Sequence, residues 1–138
     1  GNADAINFPR PMIYQKNYNF SFSGLKTSVL YYLRDNPKTK KADIAASFQK
    51  AATDALFFKT MRAAKEFKAK SILLSGGVAA NKLLRKELEV QSSKLDINFI
   101  APPMAFNTDN AVMIAVAAYI NFLQNKNRRL IAQSSLNL

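Results

Sequence analysis

Two short stretches of this 138-residue chain carry groups that could act on a ligand: Ser75-Gly76-Gly77-Val78-Ala79-Ala80-Asn81 and Phe106-Asn107-Thr108-Asp109-Asn110. Gly76 and Gly77 place no side chain between backbone and ligand, and the N–H groups opening the next helix offer partial positive charge to an anion or a ring edge. Asn81 adds an amide able to donate and accept. The same glycines also suit a plain strand-to-helix turn, and a lone Gly pair is far less specific than a full dinucleotide fingerprint. Asp109 falls in the expected first turn of a helix capped by Thr108, where the dipole favours an ionised carboxylate able to hold a divalent cation. Ordinary helix-start chemistry also accounts for Asn107-Thr108-Asp109-Asn110, and one carboxylate alone is not a metal site.

The elements that must position these residues follow from hydrophobic spacing. Residues 71–75 and 97–101 are short apolar runs that read as strands, the first buried on both faces, the second stopped by Pro102-Pro103. A helix over about 79–91, with Leu83, Leu84 and Leu88 inward, joins them, and another runs from about Thr108 to Asn125. Strand, helix, strand, helix over that length is a βαβα unit with parallel, adjacent strands, so both candidate loops leave the same edge of the sheet. Upstream, residues 2–19 read as irregular, with room for one short strand. Leu25, Val29, Leu30 and Leu33 predict a helix over 23–35, capped by Ser21 or Ser23 and ended at Asn36-Pro37. Ile44, Phe48, Ala51, Ala55 and Phe58, followed by Met61, Ala64 and Phe67, predict a long helix over 41–68. Phe57, Phe58 and Phe67 read as core. A short edge strand is expected at residues 130–132.

Composition removes several function classes. There is no cysteine and no histidine, so disulfides, thiolate metal sites, Ser-His-Asp hydrolysis and His-rich zinc chemistry are beyond this chain alone. The longest apolar run, from Ala111 to Ile120, is about half of the roughly 20 residues a bilayer span needs, so a soluble protein is expected, and the absence of thiols fits a reducing, cytoplasmic setting. A first residue other than Met suggests a processed or excised piece. The net charge of +11 favours a polyanionic partner. It is uneven: residues 1–70 hold 13 basic and 5 acidic residues, residues 71–138 hold 7 and 4. Lys38, Lys40, Lys41, Lys59, Arg62 and Lys65 could meet RNA phosphates or simply keep a helix face solvated.

Five stretches, in order, resemble one family: Asn7-Phe8-Pro9-Arg10-Pro11, Phe20-Ser21-Phe22-Ser23-Gly24-Leu25-Lys26-Thr27, Asp43-Ile44-Ala45-Ala46-Ser47-Phe48-Gln49, the segment from Ser75 to Asn81, and Thr108-Asp109-Asn110-Ala111. They are similar to the TsaD family, the catalytic subunit of tRNA threonylcarbamoyladenosine synthesis and of the KEOPS complex. The resemblance implies an α/β fold, the carboxyl-terminal part of an actin/Hsp70/sugar-kinase-like (ASKHA) architecture, helix-rich with a short parallel sheet. Residues 1–138 would form one partial domain, mainly helical over 1–70 and nucleotide-facing over 71–138. The reaction implied is transfer of threonylcarbamoyl from threonylcarbamoyl-adenylate to N6 of adenosine 37 of tRNA. Gly76, Gly77 and Asn81 would then contact ATP or the adenylate, with the glycines facing adenosine, and Asp109 would bind an iron or zinc ion. No catalytic residue is assigned to this chain.

The resemblance also implies partners: tRNA, the missing amino-terminal portion with its histidine-bearing metal motif and phosphate loops, and subunits such as TsaB, TsaE or their KEOPS counterparts. Without that portion the chain is expected to be inactive and its sheet edge uncovered. Competing expectations are a tRNA-binding module without chemistry, a subunit-interaction module, and a sugar- or acetate-kinase-type lobe of the same superfold.

Overall fold

The computed structural model describes residues 1–126; the expected strand at 130–132 lies outside them. Helices α1 (Phe22–Asp35) and α2 (Lys41–Glu66) are followed by strand β1 (Ser71–Leu73), helix α3 (Lys82–Lys94), strand β2 (Asn98–Ile100) and helix α4 (Ala111–Leu123). Single 3-10 turns at Gly77–Ala80 and Met104–Phe106 precede α3 and α4. The strands pair in parallel, Ser71 with Asn98, Ile72 with Phe99 and Leu73 with Ile100. A helix-rich α/β unit with a short parallel sheet was expected and is found, consistent with the carboxyl-terminal part of an ASKHA fold.

Helix α2 organises the molecule because its 26 residues, about 39 Å at 1.5 Å each, reach two separate cores. Near its start, Ile44 and Ala51 meet Leu25 of α1 with Ile6 and Phe8; near its end, Met61 and Ala64 meet Ile72 of β1 with Leu84 and Leu88 of α3. Phe8 and Tyr32 meet edge-on at 5.6 Å between ring centres in the first cluster. Residues 2–19 form turns without a strand and are pinned along α2 by polar contacts. The Ser47 hydroxyl accepts from the Ile6 N–H and donates to the Asn2 carbonyl, each at 3.2 Å, and Arg10 donates to Asp54 Oδ2 through Nη2 at 2.7 Å and Nε at 3.1 Å.

Several expectations are corrected. Ser21 holds the position before α1, but neither it nor Ser23 caps the helix through its side chain. Leu30, Leu33, Phe48, Phe58 and Phe67 are exposed; helical spacing put them on the inner face, but among the described residues no neighbouring element covers that side. β1 is buried on one face only: Ile72 points into the core whereas Leu73 is 73% exposed, because α2 and α3 both lie on one side of the sheet. Lys59 leaves the proposed basic surface altogether, being 2% exposed. Its ammonium donates to the Asn17 carbonyl at 3.3 Å and to the Asn19 carbonyl, and lies 5.5 Å from the Phe20 ring centre. Burial, then the neighbouring Arg62 charge, lowers its pKa from the usual lysine value. Arg62 likewise donates to the Asn17 carbonyl, at 2.6 Å, so both cations hold the turn at residues 17–19 rather than facing outward together.

The ends of α2, α3 and α4 share one device. Lys68 (φ 50°), Asp96 (φ 54°) and Asn125 (φ 53°) each take the left-handed conformation just past the helix. The next N–H then reaches back five residues: Ala69 to Ala64 at 2.8 Å, Ile97 to Ser92 at 2.9 Å and Lys126 to Asn121 at 2.9 Å. These are Schellman endings built without glycine.

Candidate functional site

Because β1 and β2 are adjacent and parallel, the loops after Leu73 and after Ile100 leave the same edge, as expected. Gly76 has φ 83° and ψ 178°, a backbone region that side-chain-bearing residues rarely enter, so the local turn itself requires glycine there. Gly77 is different. Its φ is not positive, and a Cβ built on it would meet nothing within 4 Å, so nothing among the described residues demands glycine at 77. Both glycines and Val78 are exposed, whereas Ala79 is fully buried and anchors the end of the turn.

Asn81 is the N-cap of α3. Its Oδ1 accepts from the N–H groups of Leu83 at 3.0 Å and Leu84 at 3.1 Å. This corrects the expectation that Asn81 both donates and accepts toward a ligand from within the helix's first turn: both lone-pair directions of its oxygen serve the helix, leaving Nδ2 for a ligand.

The second loop is also corrected. The cap of α4 is Asn110, whose Oδ1 accepts from Met113 N–H at 3.0 Å, and not Thr108. The helix therefore begins at Ala111, and Asp109 stands exposed in the irregular segment just outside it instead of in its first turn. Four possible capping residues in a row, Asn107, Thr108, Asp109 and Asn110, made the start ambiguous by sequence. Asp109 makes no ion pair among the described residues, and no three His, Cys, Asp or Glu side chains converge there. A lone exposed carboxylate can serve as one metal ligand; these residues do not form a metal site by themselves.

Arg85, which the sequence did not single out, and Asn107, named there only as part of its loop, join the two loops. Arg85 of α3, half-buried, donates through Nε to the Ala79 carbonyl, and through Nη2 to the Pro102 carbonyl at 2.6 Å and to Asn107 Oδ1 at 2.9 Å. Asn107 is 3% exposed and donates through Nδ2 to the Met104 carbonyl at 3.2 Å. The available signal was an arginine one turn into the helix after the glycine loop, where the loop carbonyls lie within reach of a long side chain. The rim thus built is open: Leu73, Ser75, Gly76, Gly77, Val78, Thr108 and Asp109 are all exposed. It exposes main-chain groups of the glycine loop on the sheet edge from which the Asp109 loop also leaves.

A short parallel βα unit with a glycine loop and a carboxylate loop leaving one edge defines an α/β module. The family model for "TsaD: tRNA N6-adenosine threonylcarbamoyltransferase" matches residues 1–116, and the chain belongs to that family. It is similar to the tRNA N6-adenosine threonylcarbamoyltransferase of Thermosipho melanesiensis, with 52% identity over all of this chain and 42% of the relative. The protein of that name from Kosmotoga olearia is 50% identical over 81% of this chain and 34% of its own length. The Listeria welshimeri protein is 48% identical over 89% and 38%. The chain therefore spans about two-fifths of the length of these curated relatives.

Proposed function

We propose that this chain is the carboxyl-terminal, nucleotide-facing part of a tRNA threonylcarbamoyladenosine transferase. In the complete enzyme, N6 of adenosine 37 attacks the carbamoyl carbonyl carbon of threonylcarbamoyl-adenylate. The bond from that carbon to the phosphate oxygen breaks, AMP leaves with the electron pair, and N6 gives up a proton. This chain's share is binding and orientation. The Gly76-Gly77 main chain lies against the adenosine end, Asn81 Nδ2 donates to it, and Asp109 supplies one ligand to an iron or zinc ion at the nucleotide's polar end. A metal there would neutralise phosphate charge; its other protein ligands would come from the amino-terminal portion, since this chain has no histidine.

The observation that carries this reading is Gly77, a glycine required by neither backbone angle nor neighbours, at the rim shared with Asp109. A ligand passing close to the backbone supplies the missing reason. Asp109→Ala in the complete enzyme is expected to lower bound metal by at least about tenfold with an unchanged melting temperature, as losing one of few ligands should. Unchanged metal content and transfer rate would remove the assignment. The chain by itself is expected to show no transfer, and turnover by the purified chain would overturn that.

The exposed Lys38, Lys40 and Lys41 at and just before the start of α2 favour a tRNA-facing role for the helical half. If so, tRNA binding to the complete enzyme weakens steeply with salt, and replacing the three lysines by Ala flattens the slope. The amino-terminal portion is also the proposed cover for α4 and for the open face of the sheet.

A further inference from the structure

We infer that Arg85 is a positioning residue that locks the glycine loop and the Asp109 loop into one ligand-binding rim; this rests on the reading above. The geometry is specific. One guanidinium, rooted in α3, reaches the Ala79 carbonyl at the end of the glycine turn. The same group reaches Pro102 and Asn107, on the segment that carries Asp109 two residues later. Asn107 passes the constraint on, since its buried amide is held on its other side by the Met104 carbonyl.

Outside β1 and β2, with only three residues each, little backbone pairing ties the two loops. The planar fork of arginine satisfies acceptors in separate directions at once, whereas a lysine ammonium on a flexible stem fixes no such plane. Removing Arg85 leaves two carbonyls and a buried Asn oxygen without this donor and frees the loops to move apart. The exposed residues that would touch a ligand are then still present but no longer in register.

The test uses the complete enzyme and ATP as the probe. Arg85→Gln and, independently, Asn107→Ala are each expected to raise the ATP dissociation constant by about tenfold, with the double variant no worse than the more severe single one, as in a shared network. Arg85→Lys should not restore affinity, and the KM for tRNA should stay unchanged in all three. Lys86→Ala, on the exposed neighbouring position, is the control for mere loss of charge from α3. If the variants lower the melting temperature but bind ATP normally well below it, Arg85 is only a structural brace and the inference fails. Full rescue by Arg85→Lys would overturn it as well. Gly77→Val separates this from the broader reading. If that variant also binds ATP normally, the glycine loop is not a nucleotide site at all; if it alone loses ATP, the nucleotide reading stands and the role of Arg85 falls.

Discussion

Helices α3 and α4 are each 13 residues long, each follows one strand of the parallel pair, and each is capped by an asparagine. Their burial is opposite. α3, rich in Lys and Glu, buries Ser92 and packs Leu84 and Leu88 against α2 and the sheet. α4 is apolar along almost its whole length and buries nothing among the described residues. Apolar composition is thus not burial: α3 has a partner, in the end of α2, and α4 has none among the described residues. A helix apolar on all sides belongs inside a larger structure, and the relatives are more than twice as long as this chain.

The sharpest way to break this comparison is to trim both helices. Leu84→Ala or Leu88→Ala should cost about 2–5 kcal/mol in this chain, whereas Ile114→Ala or Ile120→Ala should stay within about 0.5 kcal/mol. Urea titration followed by circular dichroism reads both. A large loss from the α4 substitutions would mean that α4 is packed after all, and the contrast would fail.

The caps come next. Asn81→Ala removes the acceptor for two N–H groups and should lower the stability of the whole unit by about 1 kcal/mol. Asn110→Ala removes the acceptor for one, on an unpacked helix, and should appear as faster hydrogen exchange confined to the first turn of α4. Equal effects on global unfolding would show the two helices to be energetically alike.

The smallest effect concerns the helix ends. Gly in place of Lys68 or Asp96 relieves the left-handed strain, which outweighs the extra freedom of glycine in the unfolded chain, so each should gain about 0.5–1 kcal/mol. Asn125→Gly, at the end of the unpacked helix, should leave the unfolding midpoint unchanged. A loss at Lys68 or Asp96 would contradict the account of these endings.

Periodicity made the element order, the parallel pairing and the inward Leu84 and Leu88 legible, because these depend on spacing along one segment. Boundaries were less so. Helices α2, α3 and α4 stop at Lys, Asp and Asn in a conformation usually marked by glycine, and α4 starts among competing capping residues. What covers each face was not legible at all: Phe58 and Phe67 share helical spacing with Ala55 and Ala64, and only tertiary neighbours separate the exposed from the buried. Of the candidate site, Gly76, Gly77, Asn81 and Asp109 could be named from residue type. Arg85 could not, because its value lies in reaching across two loops. Lys59 shows the converse, a lysine that charge counting placed on a surface and that two backbone carbonyls draw inside.

A nucleotide site at this edge requires both loops to meet one ligand. Hydrogen exchange of the complete enzyme with and without ATP measures this directly, in peptides covering residues 75–81 and 106–110. ATP should slow exchange in both peptides together, over the same range of ATP concentration. Slowing in one peptide alone, or in neither, would contradict a shared rim.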